Sequence, residues 1–208
     1  MHRISYGLLV MTVCLLAVAQ TQAAAIPVGS AEVSSYYNAA WSGPGANVID
    51  GNLATQWQSH GNSQNEGKDD APYIKFFFDD VYNVDTVTVW NLFGSADVRG
   101  VRHVDILVST DGVNFTYVDS IEVARGAADL ASSVGQEFDL GGVAAKVVMF
   151  DIKTNWAGKV FGQGESYDGL WANGSIVGLV EVAFTQIPEP ATMSLLALGG
   201  LALRRRKR

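Results

Sequence analysis

The sequence predicts an all-β fold, a two-sheet sandwich or jelly roll, and three observations carry that prediction. Apolar residues between the two ends of the chain alternate at a period of two, the spacing of a strand with one buried face. Glycine interrupts every longer apolar run, which leaves no convincing helix. The short segments that result are joined by Gly, Asn and Asp with no internal repeat, as in a sandwich rather than a repeat array.

Each element follows from its own residues. Ile74, Phe76 and Phe78 share one face of a strand; Val87 and Val89 belong to the next, with Thr86, Thr88 and Trp90 on its reverse side. His103–Ser109 repeats the alternation through Val104, Ile106 and Val108, and Asp111-Gly112 turns the chain into Phe115–Ile121. Gln136–Leu140 is a weaker candidate, and later strands run through Lys146–Lys153 and Val177–Thr185. Two connections, Gln58–Ala71 and Asn155–Ser175, are too long for hairpins; long loops in a compact domain commonly carry function.

The ends read differently from the middle. Arg3, an apolar run from Tyr6 to Val18, and Ala23-Ala24-Ala25 have the order of a secretory signal peptide with removal after Ala23 or Ala25. The run is shorter than the ~20 residues a membrane span needs. At the other end Pro188-Glu189-Pro190 precedes an apolar stretch, Ala191–Leu203, and the basic block Arg204-Arg205-Arg206-Lys207-Arg208. This three-part order resembles the PEP-CTERM sorting signal. The resemblance implies a Gram-negative bacterium, processing by an exosortase-type membrane enzyme, transient contact with the membrane through the tail, and release to the cell surface or an exopolysaccharide matrix. The expected organisation is a signal peptide over 1–25, one domain over 26–187 and the sorting signal over 188–208.

The two ends hold six of the 14 Lys and Arg but one of the 21 acids, so the domain between them carries a net charge of −12. Such a surface repels phosphate backbones, which argues against nucleic acid, and suits cations and neutral glycans. The single cysteine, Cys14, lies in the signal segment, so no disulfide holds the exported domain. A bound metal is a natural supplement to its core.

The most specific stretch is Val48-Ile49-Asp50-Gly51-Asn52-Leu53-Ala54-Thr55-Gln56-Trp57. With Tyr73-Ile74-Lys75-Phe76, Val84-Asp85-Thr86-Val87, Val108-Ser109-Thr110-Asp111-Gly112 and Val177–Val182 in the same order, it resembles the discoidin-like family, the coagulation factor five/eight type C domains. The resemblance implies a galactose-binding-domain-like jelly roll, burial of Trp57, and a structural Ca²⁺ beside Asp-Gly. Carried over position by position, its ligands are oxygens of Asn47, Asp50, Asn52 and Thr55, with the carboxylate of Glu181 from the last strand. A tight turn through Gly51 suits a hard cation that collects carboxylate, carbonyl and hydroxyl oxygens, while the alternative for Asp50 is a turn cap.

Glycan recognition needs aromatic faces beside a few placed polar groups. Trp41, His60, Trp156, Phe161, Tyr167 and Trp171 lie outside the predicted strands and are the candidate ligand residues, the alternative for each being a plug that closes the core. One departure concerns galactose. Relatives that bind it place an Arg just after the second strand, where this chain has Trp90-Asn91-Leu92-Phe93 and its nearest arginines are Arg99 and Arg102.

The function expected is non-catalytic binding of an extracellular polysaccharide or other glycan. A glycoside hydrolase needs two facing carboxylates, and Asp69-Asp70, adjacent in sequence, point to opposite sides of an extended segment. Only His60 and His103 remain after processing, with no Gly-x-Ser-x-Gly or His-Glu-x-x-His motif. The remaining alternative is a structural surface protein that binds another protein.

Overall fold

The computed structural model describes residues 23–37, 43–60, 69–162 and 176–187, which belong to one compact unit. Eight strands form it: β1 (Ala24–Ile26), β2 (Val28–Val33), β3 (Trp57–Gln58), β4 (Tyr73–Asn91), β5 (Val101–Ser109), β6 (Thr116–Glu122), β7 (Gln136–Asn155) and β8 (Gly178–Gln186). Helical structure among the described residues is limited to short 3-10 turns at Gly45–Val48, Gly94–Arg99 and Leu130–Ser132. No helix among them is long and apolar enough to cross a membrane.

The antiparallel order is β1-β8-β4-β7-β5-β6, with β2 added to β4 and β3 to β8. Strands β4 and β7 run through both layers of the sandwich. The first half of β4 pairs with β2 and with the second half of β7, as in Ile74 with Phe150; its second half pairs with the first half of β7 and with β8, as in Val87 with Phe138 and Phe184. The register shifts between Phe77 and Tyr82 mark the bend. Phe184 of β8 meets Phe76 and Phe78 of the other layer edge-to-face, with centroids at 5.1 and 5.3 Å, so the core is closed by aromatic contacts across the layers. Trp57 is fully buried, and its indole N–H donates to the Ser35 carbonyl at 2.7 Å.

Three expectations need correction. Ile74–Phe78 and Thr86–Trp90 are not separate strands but two halves of β4, because Asp79–Val81 bends the strand at an exposed position without ending it. Gln136–Leu140 and Lys146–Lys153 likewise fuse into β7 around Gly141 and Gly142, whose φ values of 71° and 73° produce a bulge that other residues adopt at a cost. β1 and β2 were not anticipated, since Val28–Val33 lies at a sheet edge and buries little of either face. β1 pairs with the end of β8, Ala24 opposite Gln186, and brings the described ends of the domain together. Of the two expected cleavage positions, one after Ala23 would leave β1 whole, whereas one after Ala25 would leave only Ile26 of it.

Candidate functional site

The Asp50 loop joins the 3-10 turn Gly45–Val48 to β3 and lies against β8. Gly51, with φ 72°, turns the chain so that its N–H donates to Glu181 Oε2 at 3.2 Å. Asp50 Oδ1 accepts from Asn52 N at 2.8 Å. The Thr55 hydroxyl then lies 3.0 and 2.9 Å from the two Asp50 carboxylate oxygens, 2.7 Å from the Asn52 carbonyl and 3.4 Å from the Asn47 carbonyl. A hydroxyl has one proton to donate, so at most one of these four acceptors is fully served.

Asn47 and Asn52 offer backbone oxygens here, because the Asn47 amide donates to the Gln56 carbonyl and Asn52 Oδ1 accepts from Ala54 N. Glu181, buried in β8, has its carboxyl pushed up to about 7, first by burial and then by the charge of Asp50, against the lowering effect of the Gly51 and Val182 N–H groups. Two carboxylates, two carbonyls and a hydroxyl thus converge with a surplus of negative oxygen. That is the donor set of a hard cation with six to eight oxygen ligands, some of them water. With only oxygen among these donors, the set suits a hard cation better than zinc or another metal that favours nitrogen and sulfur.

The second region is the end of the sandwich where β3 stops, β5 begins and β7 stops. Its buried side chains are polar: Gln58, Ser59, Asn91, Asn155 and Lys159. Each is matched to named partners. Arg99 Nη1 donates to Gln58 Oε1 at 3.0 Å, and Val177 N to the Ser59 hydroxyl at 3.1 Å. Asn91 Nδ2 donates to the carbonyls of Val101 and Ala124, both at 2.8 Å. Asn155 Nδ2 donates to the Ile176 carbonyl at 2.9 Å while its Oδ1 accepts from Lys159 N at the same distance. Lys159, 2% exposed, faces Asp70 at 3.5 Å.

Around this frame stand the aromatic groups. His60 is half-buried, its backbone N–H donating to the Ser35 hydroxyl at 3.0 Å, and its ring meets the exposed Tyr36 edge-on at 6.3 Å. Trp156 is also half-buried. Its backbone N–H donates to the Gly100 carbonyl and its indole N–H to the Val123 carbonyl at 3.0 Å, with the Arg102 guanidinium 4.7 Å from the ring centroid.

The structure therefore brings Asn47, Asp50, Asn52, Thr55 and Glu181 together and sets His60 and Trp156 on one end, linked through Gln58, Arg99 and Gly100. It removes Phe161 from the candidate ligand residues: the ring is 6% exposed within the hydrophobic core, where it plugs the end of the sandwich. Trp41, Tyr167 and Trp171 lie outside the described residues, as do the signal segment and the tail. Sequence reasoning missed Tyr36, Gln58, Asn91, Asn155 and Lys159. For Asn91 a signal existed, because it continues the inward register of Val87 and Val89, where an amide is out of place unless it is bonded.

Similarity to other proteins places this arrangement. The model of the F5/8 type C domain matches residues 30–163, and that of the PEP-CTERM protein-sorting motif matches residues 186–208. No curated protein sequence matches the chain. Among solved structures it is similar to CpGH89CBM32-5 from Clostridium perfringens in complex with GalNAc-β-1,3-galactose, at 18% identity and a TM-score of 0.57, over 77% of this chain and 99% of that one. The family 32 module of C. perfringens NanJ in complex with galactose gives 14% and 0.55, over 79% and 99%. A truncated AlyQ with CBM32 and alginate lyase domains gives 16% and 0.56, over 81% of this chain but only 34% of that one. At such identities the likeness speaks to the fold, a galactose-binding-like β-sandwich, and the family match covers most of the domain: this chain belongs to the F5/8 type C domain family and carries a C-terminal PEP-CTERM sorting motif.

Proposed function

We propose that this is a non-catalytic extracellular carbohydrate-binding protein, delivered by exosortase-type processing to the surface or exopolysaccharide matrix of a Gram-negative bacterium, and stabilised by one Ca²⁺. The observation that carries the reading is the loop end, where a matched network of buried polar side chains supports half-exposed His60 and Trp156. Rings on a rigid polar frame suit sugars, whose CH faces stack and whose hydroxyls need fixed partners. The modules of similar fold in complex with galactose and with GalNAc-β-1,3-galactose support the same reading.

Among the described residues, the carboxylates of that end favour binding over hydrolysis. Asp69 accepts from the Ser34 and Ser35 hydroxyls, Asp70 faces Lys159, Asp97 pairs with Arg125 and Glu122 with Arg102. Each is committed to holding the frame. The Ca²⁺ would be held by Asp50, Glu181, Thr55 and the Asn47 and Asn52 carbonyls, and would supply the positive charge that this oxygen cluster lacks, clamping the Asp50 loop to β8. Retention of the processed protein on extracellular polysaccharides, with reducing ends counted before and after, tests the proposal. Retention without new reducing ends is expected; hydrolysis, or no retention on any polysaccharide, overturns it.

A further inference from the structure

The segment that joins β6 to β7 crosses the mouth of the sandwich and lines a half-open cavity of about 190 Å³, beside the frame described above and sharing Asn91, Val123 and Ala124 with it. We propose that this cavity is a separate binding site for one neutral sugar residue, an inference that rests on the carbohydrate-binding reading and adds a second point of attachment.

The cavity is built and held. Asn91 ties the Ala124 carbonyl to β4, Gln136 Oε1 accepts from Ala124 N at 2.7 Å, and Gly94 N donates to the Ala127 carbonyl at 2.9 Å. Arg125 pairs with Asp97 at 2.9 Å, and Asp129 caps the turn at Ser132 N at 2.9 Å. Gly126 lies so close to β4 that any side chain there would collide with the Leu92 carbonyl. A segment fixed at so many points needs little ordering when a ligand enters.

Size, polarity and charge then select the occupant. The volume holds about six water molecules at their liquid volume, the space of one pyranose ring rather than two. Val89 and Val123 give an apolar floor, and Val134, 82% exposed, gives an apolar lip. Against these stand the Ser133 hydroxyl and the Gln136 amide NH₂, whose Oε1 partner is already used, so the amide is left with donors to offer. Among the described residues Arg125 is the only charged one lining the cavity, and its charge is met by Asp97, which leaves none of them to select an anion or a cation. An apolar wall opposite uncharged donors fits a neutral polyol ring.

The test is titration of the isotope-labelled processed protein with neutral methyl hexopyranosides and, separately, with a uronic acid, followed by backbone amide shifts. Saturable shifts at Val89, residues 124–127 and residues 132–136 are expected with at least one neutral sugar in the millimolar range, with little response to the uronate. Ser133→Ala should weaken that binding several-fold, and Ser133→Trp, which fills the cavity, tenfold or more. The mapping on the unaltered protein stands even if the tryptophan variant does not fold. Shifts confined to His60, Tyr36 and Trp156, or a stronger response to the uronate, overturn this site while the carbohydrate-binding reading survives. No shift with any monosaccharide, while polysaccharide is still retained, also overturns it. Loss of polysaccharide retention with the cavity still occupied by a neutral sugar would instead remove the matrix reading and leave this one.

Discussion

The Asp50 loop and the loop end of the sandwich are both built from polar groups, yet their hydrogen-bond balance is opposite. At the loop end the buried amides are matched: Asn155 both gives and receives, and Asn91 spends both amide protons. Around Thr55 four oxygens surround one hydroxyl proton and a second carboxylate stands near, so acceptors exceed donors. The difference is informative because a balanced buried network is complete without a further component, whereas a cluster with excess acceptors is stable only when protonated or when a cation joins it. One region has the balance of a scaffold, and the other has the acceptor surplus on which the proposed cation site rests.

The largest expected effect comes from unbalancing the scaffold. Asn155→Ala removes partners from the Ile176 carbonyl and Lys159 N in a fully buried position, and should cost about 3 kcal/mol of stability in denaturant unfolding, equally with and without Ca²⁺. A loss that Ca²⁺ restored would show the two regions to be one.

Next in size is the cation itself. A ligand that binds only the folded state adds about 2.7 kcal/mol at one hundred times its Kd, so millimolar Ca²⁺ should raise Tm by several degrees over EDTA. Glu181→Gln should abolish most of that rise while leaving the Ca²⁺-free protein as stable as before or more so, because a neutral amide avoids the burial of charge. An unchanged Tm in the unaltered protein refutes the Ca²⁺ site.

The pH dependence follows with its sign fixed. Glu181 titrates at about 7 in the folded protein against an ordinary 4.5, so the folded state holds the extra proton between those values. In EDTA its contribution is most favourable below pH 4.5, declines as pH rises to 7, and is level above that; at ~1.4 kcal/mol per pH unit, lessened by solvent near the loop, the decline is on the order of 2 kcal/mol. Ca²⁺ should flatten it. Parallel stability curves for the unaltered protein and Glu181→Gln in EDTA would sink the assignment.

Smallest is the effect of a half-buried ring on the scaffold. Trp156→Ala should weaken polysaccharide binding several-fold, about 1 kcal/mol, with a smaller loss of stability. A sharp fall in Tm with unchanged binding per folded molecule would make Trp156 a plug like Phe161.

How much of this was legible in the sequence follows from the same contrast. The Asp50 set is local except for Glu181, and a tight Asp-Gly turn is written in consecutive residues, so the family pattern could name five candidate positions, which the structure sets around one loop. The loop end is assembled from segments more than a hundred residues apart, as Ser59 with Val177, and its polar members sit in strands and loops without a spacing rule. Phe161 went wrong for a related reason. A Gly-rich loop gives no hint whether its aromatic folds inward, and only the position of the sandwich end decides. The strands β4 and β7 looked like pairs because Asp79-Asp80 and Gly141-Gly142 read as turns, while the pairing of the two long strands carries both through as bends.

The central claim is that glycan meets the loop end, and hydrogen exchange on the processed protein with and without a retained polysaccharide tests it most directly. Slowed exchange is expected at residues 58–60, 99–103 and 155–162, with no change at the Ser109–Phe115 turn on the opposite end. Protection at that turn, or none at the loop end while polysaccharide is held, would contradict the account.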